Sequence, residues 1–355
     1  MRVLVVNAGS SSLKVSVVDD GDVTVAESSD LQSALREISG IEAVGHRVVH
    51  GGSRYPASVR IDDAVIEYLV SIKDLAPLHM PAALEGIAAV RAMLPRVPAV
   101  ACFDTAFHSK MPAEASTYAV PLDWHVRRYG FHGFSHRYAS RRAAEILGRP
   151  EALLRTITCH LGSGASLAAV LGGRSVDTTM GFTPMEGLVM GTRSGNIDPG
   201  LVLWLQRHEG MTEAQLNEAL DQKSGLLALA GVADMREVLR GVNSGVERSR
   251  LAFDVYIHRL RGLIAAMAAA MNGADALVFT GGIGENAPEV RAAAISGLGF
   301  LGAEIDEALN SKGDGDRDIS SADASVRTLV VKAREDLEVA RDVHAVLGGT
   351  QAERE

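Results

Sequence analysis

The stretch Val3-Leu-Val-Val-Asn-Ala-Gly-Ser-Ser-Ser-Leu-Lys-Val-Ser-Val17 decides how the rest of the chain is read. Four apolar residues run into Asn7, a Gly-Ser-Ser-Ser turn follows, and beyond Lys14 the alternation of a strand resumes at Val15 and Val17. A strand, a small-residue turn and a return strand present a row of backbone N–H groups, the hydroxyls of Ser10 and Ser12, and one lysine. All are donors suited to phosphate oxygens. No helix follows the glycine, so this is not the GxxxxGK[ST] loop. It reads as a phosphate-gripping β-hairpin or, taken by itself, as a serine-rich turn and nothing more.

The pattern recurs half a chain later. Thr156-Ile-Thr-Cys-His-Leu-Gly-Ser-Gly-Ala-Ser-Leu-Ala-Ala-Val170 runs again from strand through a polar residue, His160, into Gly-Ser-Gly and back to strand. Gly9-Ser10 aligns with Gly162-Ser163, and Leu13 then meets Leu167 once one residue is inserted. Two such hairpins, each opening one half, point to a duplicated α/β domain with a nucleotide held between the halves. Chance likeness between two Gly/Ser turns is the bland alternative.

The remaining elements fit that frame. The chain has 355 residues, 47% hydrophobic and 22% charged, the size and mix of a two-domain globular enzyme. Its net charge of -9 offers no basic surface to nucleic acid or to an acidic membrane, so an anionic substrate needs local positive charge. Cys102 and Cys159 lie in apolar strand-like runs and read as buried free thiols of a reducing compartment. The start lacks a signal-peptide pattern and no apolar run reaches membrane-spanning length, so a cytoplasmic location is expected. Strands are expected at 3–7, 14–18, 22–26, 43–49 and 97–103, and again at 155–160, 166–171, 174–178, 276–280 and 329–331. Helices are expected at 64–74, 81–93, 137–147, 244–272 and 334–347, with Ser244 and Glu247 as a capping box for the longest. Residues 281–286 and 312–321 read as loops.

Candidate chemistry collects at strand ends and glycine-rich turns. Gly45-His-Arg-Val-Val-His-Gly-Gly52 places Arg47 and His50 at a strand end, and Phe103-Asp-Thr-Ala-Phe-His108 does the same for Asp104. Tyr129-Gly-Phe-His-Gly-Phe-Ser-His136 sets His132 between glycines, where backbone approaches a ligand closely. Arg193 lies in the Gly-rich run from Met180 to Pro199. With no acidic run beside them, Arg47 and Arg193 suit a phosphoryl or carboxylate ligand. The structural alternative for each is a surface ion pair. His46/His50 and His132/His136 have the four-residue spacing of a metal pair. The first pair lies on a strand and no Glu completes an HExxH, so histidine-bound zinc is disfavoured.

Taken in order, these segments closely resemble the acetate kinase (acetokinase) family. The likeness runs from Asn7–Lys14 through Gly45–Gly52, Pro77-Leu-His79, Phe103–His108, Tyr129–His136, His160–Ser166, Met180–Pro199 and Gly282–Asn286 to Glu335-Asp-Leu337. It implies two duplicated ribonuclease H-like α/β domains of the actin and sugar-kinase type, with the active site in the cleft between them. The first domain is expected at 1–148 plus the C-terminal helix 335–355, the second at 149–334. The implied reaction is reversible, Mg²⁺-dependent transfer of the ATP γ-phosphoryl group to acetate, giving acetyl phosphate and ADP, with Mn²⁺ as a substitute metal and a homodimer as the assembly.

By the same resemblance, Asn7 and Glu335 hold the metal, and Lys14, Ser10 and Ser12 reach the phosphates. His160, Leu161, Gly162, Ser163 and Gly164, then Asp234, Met235 and Arg236, then Gly282, Ile283, Gly284, Glu285 and Asn286, line the nucleotide. Arg47 binds the acyl group beside a methyl pocket of Val49, Leu78, Phe131 and Pro184. Asp104 is the family's acid/base candidate, while His132 and Arg193 stabilise the transition state. A carboxylate acceptor is already ionised, so Asp104 reads better as a group that orients Arg47 or a metal-bound water. Met80, Phe134 and Ser163 depart from the family pattern near the acyl and nucleotide segments, which leaves propionate open beside acetate. Rival readings are an actin-like or heat-shock ATPase, which needs no set of Arg47, His132 and Arg193, and a polyphosphate phosphatase, which needs no small apolar pocket.

Overall fold

The computed structural model describes residues 1–8, 13–20, 23–28, 40–77 and 79–352. Its contacts divide the chain into two units: Met1–Ser109, Phe131–Tyr138 and Arg334–Glu355 in one, Lys110–Gly130 and Ala139–Ala333 in the other. Among the described residues each unit holds one six-stranded mixed sheet.

In the first unit the strands are β1 (Val3–Ala8), β2 (Leu13–Asp19), β3 (Val23–Ser28), β4 (Ala43–Val48), β5 (Val59–Arg60) and β6 (Ala99–Phe103), in the order β3-β2-β1-β4-β6-β5. β1, β4 and β6 run parallel, so their carboxyl ends lie side by side, while β2, β3 and β5 pair antiparallel. The unbroken apolar run of β1 follows from burial on both faces. Val3 and Val5 pack with Val100, Cys102, Phe134 and Val339, Ala340 and Val343 of the helix Glu335–Ala352. Leu4 and Val6 pack with Val15, Val17, Val44 and Val90, the last from the helix Met80–Met93. Each such Val or Leu contributes about 1.5–3 kcal/mol when fully buried.

Polar ties fix the angle of that last helix. Arg137 donates to buried Glu338 at 2.5 Å and to Asp342 at 2.8 Å, and Thr24 donates to Asp336 at 2.6 Å. β4 carries Gly45 where the helix crosses it. A Cβ there would come within 2.7 Å of Val339 and 2.8 Å of Val343. The missing side chain is what lets helix and sheet close.

The second unit repeats the topology. Its strands are β7 (Arg155–Leu161), β8 (Ala165–Leu171), β9 (Arg174–Thr178), β10 (Ala276–Thr280), β11 (Arg317–Asp318) and β12 (Arg327–Val330), in the order β11-β12-β10-β7-β8-β9. Asn7 pairs with Lys14 and Arg47 in the first sheet, as His160 pairs with Ser166 and Thr280 in the second. Even the register shift recurs, between Val17 and Val18 in one sheet and Ala169 and Val170 in the other, three residues past Lys14 and Ser166. The duplication is therefore real, but its alignment differs from the sequence reading. Leu13 stands where Ala165 does, not Leu167, because the second turn is one residue shorter rather than longer.

Other expectations are corrected by tertiary packing. Ser244 closes the helix Met235–Asn243 instead of capping the next one, which spans Glu247–Ala270 with Val246 at its N-cap. Residues Gly281–Asn286 form a short helix, not a loop. Part of 312–321 is the edge strand β11, and the helix expected from Arg137 begins at Gly133. Cys102 and Cys159 are free and buried, and burial pushes both thiols well above the ordinary range.

Gly45→Ala overpacks the sheet against Val339 and Val343. The expected cost is about 1–3 kcal/mol, read as a lower urea midpoint at unchanged slope. A variant as stable as wild type would mean that the helix does not close on β4.

Candidate active site

The first unit gathers its polar residues at the carboxyl ends of β1, β4 and β6, where open α/β sheets place their chemistry. Arg47, one residue before the end of β4, is held by three elements at once. Its Nε and terminal nitrogen donate to the two oxygens of Asp104 at 2.8 and 2.6 Å. Its other nitrogen donates to Asn7 Oδ1 at 3.0 Å, and Nε lies 3.4 Å from the Glu335 carboxylate. Asn7 arrives because β1 pairs Asn7 opposite Arg47, Asp104 because it follows β6, and Glu335 because it opens the final helix.

Burial opposes the charge on Arg47, but the carboxylates of Asp104 and Glu335 outweigh it and raise its pKa above the arginine value. Asp104 is pushed up to about 6 by burial and by Glu335, against the pull of Arg47 and of a backbone N–H from His132. It is still ionised at pH 7, as a two-pronged pairing with a guanidinium requires.

The His132-Gly133 turn clamps Asp104 from above. His132 adopts φ +57°, a left-handed conformation uncommon outside glycine, and Gly133 N–H donates to the Asp104 carbonyl at 3.1 Å. A Cβ on Gly133 would sit 2.2 Å from that carbonyl oxygen, so the glycine is obligatory. His108 Nε2 lies 3.0 Å from the Phe131 carbonyl oxygen, and His50, next to Val49, packs edge-on against the Phe131 ring at 5.7 Å. Burial lowers His46, His50 and His108 to about 4, so all three are neutral at pH 7. Val49 and Phe131 are both buried. Met80 is also buried, and Phe134 packs in the core under the final helix. Lys14 is exposed on β2. Ser10, Ser12 and Leu78 lie outside the described residues.

In the second unit Arg193 donates to Asp221 at 3.0 Å and to the Pro184 carbonyl at 3.2 Å. Its loop is pinned from several sides. Tyr118 and Arg128 each donate to Glu186 at 2.5 Å, and Gly187 and Asn196 bond reciprocally. Gly225, at φ +63°, lies so close that a Cβ would fall 2.2 Å from the Met190 carbonyl. Neither arginine is therefore the unneutralised cation expected from sequence. Asp221, Arg128 and Tyr118 lie in no segment the sequence singles out, and their pairings with Arg193 and Glu186 span tens of residues.

The segments suited to a nucleotide are built from backbone. His160 and Leu161 end β7, and Gly162 N–H bonds the Gly164 carbonyl at 3.0 Å within the turn. Asp234 caps the helix Met235–Asn243 and pairs with Arg236 at 2.5 Å. In the Gly281–Asn286 helix, Glu285 accepts from the N–H of Gly281 at 3.0 Å and of Ala333 at 2.9 Å. Asn286 donates to the Gly282 carbonyl at 2.9 Å. Gly282 has open space where a side chain would be. Ile283 and Gly284 lie within the same turn.

Among the described residues no three His, Cys, Asp or Glu side chains form a metal cage. Asn7 and Glu335 each place an oxygen against Arg47, Asn7 Oδ1 3.0 Å from a terminal nitrogen and the Glu335 carboxylate 3.4 Å from Nε. That donor set suits a hard cation that takes its remaining ligands from water and phosphate.

Comparison with known proteins places the whole chain. The acetokinase family model covers residues 24–341. The chain is 52% identical to the acetate kinase of Gloeobacter violaceus, over 87% of this chain and 77% of that protein. Two solved structures superpose well. One is Porphyromonas gingivalis acetate kinase, with TM-score 0.89, 37% identity, and 98% and 99% of the two chains covered. The other is a propionate kinase from Francisella tularensis, with TM-score 0.90, 36% identity, and 97% and 99% covered. A family model spanning most of the sequence, together with a relative 52% identical over 87% of the chain, establishes that the chain belongs to the acetokinase family.

Proposed function

We propose that this protein is an acetate kinase, transferring the ATP γ-phosphoryl group to the carboxylate of acetate and running in reverse from acetyl phosphate and ADP. The observation that carries the reading is the Arg47 station: a guanidinium locked by Asp104 and Asn7 at parallel strand ends, in a chain of this family. Family membership supports ATP and ADP as co-substrates.

Phosphoryl transfer asks for positioning and charge neutralisation more than for covalent chemistry. An acetate oxygen attacks the γ-phosphorus while the bond to the ADP oxygen breaks. Arg47 and His132 meet the acyl phosphate side, and Arg193 meets the charge spread over the transferring group. Asp104 positions Arg47, since the acceptor carboxylate has no proton to lose. Val49, Leu78, Phe131 and Pro184 wall the methyl group. Lys14, Ser10 and Ser12, with the segments 160–164, 234–236 and 282–286, hold the nucleotide. Asn7 and Glu335 would hold Mg²⁺, or Mn²⁺ in its place, and the cation would neutralise phosphate charge when bound. Within the same reading the enzyme is a cytoplasmic homodimer. No helix among the described residues is long and apolar enough to cross a membrane.

Acyl-hydroxamate trapping tests the reaction. Product must require acetate, ATP and Mg²⁺ together, and product formed without acetate would overturn the reading. Arg193→Ala should lower kcat by roughly two or more powers of ten; a change confined to KM would remove Arg193 from the transition state. Propionate is the second reading, favoured by the propionate kinase among the similar structures. Val49→Ala removes two methyl groups and should shift the propionate-to-acetate ratio of kcat/KM by about 10- to 200-fold. An unchanged ratio would withdraw Val49 from the pocket.

The pH profile tests Asp104. Burial raises its pKa to about 6, so the carboxylate that grips Arg47 is complete above that value and is lost as pH falls through it. Wild-type kcat/KM should show an acid limb near 6, and Asp104→Asn should be slower and lack that limb. A limb retained in the variant assigns the titration to another group.

A further inference from the structure

The second unit contains a cleft of about 390 Å³ beside the Gly281–Asn286 helix, with Glu285 and Asn286 in its wall. Arg291, Arg317 and Lys332 also line it. Among the described residues none of these three cations has a carboxylate within salt-bridge distance, whereas Arg47, Arg137, Arg193 and Arg327 each do.

Arg291 is 1% exposed, and every hydrogen bond it makes ends on a neutral oxygen. Nε donates to Asn310 Oδ1, one terminal nitrogen to the carbonyls of Gly284 and Glu285, and the other to the Asn310 carbonyl, all at 2.8–3.0 Å. Its charge is thus fixed in place and unbalanced. Burial and the neighbouring charge of Arg317 lower its pKa to about 10. Arg317 donates to the Gly315 carbonyl at 2.9 Å, while its buried Nε has no partner.

The nearby acids do not resolve this. Asp316 is taken by Arg142 at 2.6 Å and by the Lys332 backbone N–H at 2.8 Å. Glu285 is engaged by two backbone N–H groups, Glu289 acts on Arg291 only from beyond salt-bridge distance, and Asp314 stands exposed on the rim. The adjoining charges of Arg291 and Arg317, with a spare buried donor beside an open cleft, are unfavourable until an anion enters.

We propose that this cleft is a second anion site, which takes the phosphate group of a small ligand between Arg317 and Lys332 against the fixed charge of Arg291. A phosphate offers the charge and acceptor oxygens that guanidinium forks match, and the cleft has room for an ester beyond the phosphate. Arg291 also holds the carbonyls of Gly284 and Glu285, so an occupant bears on the turn assigned above to the nucleotide. That coupling, but not the site itself, rests on the proposed function.

The test is thermal unfolding of the full chain with inorganic phosphate or glycerol 3-phosphate, each against sodium chloride at equal ionic strength. Wild type should gain about 1–3 °C at ten times Kd, and Arg317→Gln/Lys332→Gln should lose most of that gain. Lys332→Gln alone, an exposed change, serves if the double variant does not fold. A larger response to glycerol 3-phosphate identifies an ester as the ligand, and equal responses identify free phosphate. In a separate assay, glycerol 3-phosphate should change the KM for ATP in wild type and not in the variant. A response undiminished in the variants places the anion elsewhere and overturns the proposal, as does a wild type that responds no more than to chloride. Because unfolding is read without turnover, loss of the kinase reading would leave the site standing.

Discussion

A guanidinium taken out of water must be matched by acceptors with good geometry, or its burial costs more than the fold can spare. The first unit is organised around meeting that demand for Arg47. β1 delivers an amide oxygen, the end of β6 delivers a forked carboxylate, and the final helix delivers a second carboxylate from the far end of the chain. The helix can come close only because β4 omits a side chain at Gly45. Asp104 is in turn gripped by the His132-Gly133 turn, through a left-handed residue and a glycine that leaves no room for a side chain. Packing, backbone conformation and electrostatics converge on one cation.

The second unit shows what that arrangement adds to the scaffold. Its sheet repeats the first in strand order, direction and even the place of its register shift. Yet His160 and Thr280 occupy the positions of Asn7 and Arg47, a histidine and a hydroxyl in place of an amide and a guanidinium. One topology therefore supports two different strand ends, a charged one and one made largely of backbone and glycine. Fold alone carries no chemistry; the residues at the strand ends do. The cation of the second unit, Arg193, sits instead on a loop stiffened by Tyr118, Arg128 and Glu186, so that Pro184 and Arg193 are held by the same set of bonds.

The sequence by itself determined the class of fold, the duplication, the central strands and the positions where polar residues interrupt them. These are local patterns: alternation, apolar runs, and glycine beside a reactive residue, each legible within about ten positions. It also marked Arg47, Asp104, His132 and Arg193 as candidates, and of these the structure brings Arg47, Asp104 and the His132-Gly133 turn together. Boundaries were less secure wherever a neighbour outbid local preference, as at Ser244, which closes one helix instead of opening the next, and at Gly281–Asn286, which coils because Glu285 reaches back to the Gly281 N–H. Tertiary structure alone decided the partners: Asp104, Asn7 and Glu335 for Arg47, Asp221 for Arg193, and the neutral oxygens of Asn310, Gly284 and Glu285 for Arg291. Those pairings join residues as many as 288 positions apart. A chain's periodicity records which face of an element is buried, but charge compensation depends on which elements meet, and nothing local in the sequence encodes that.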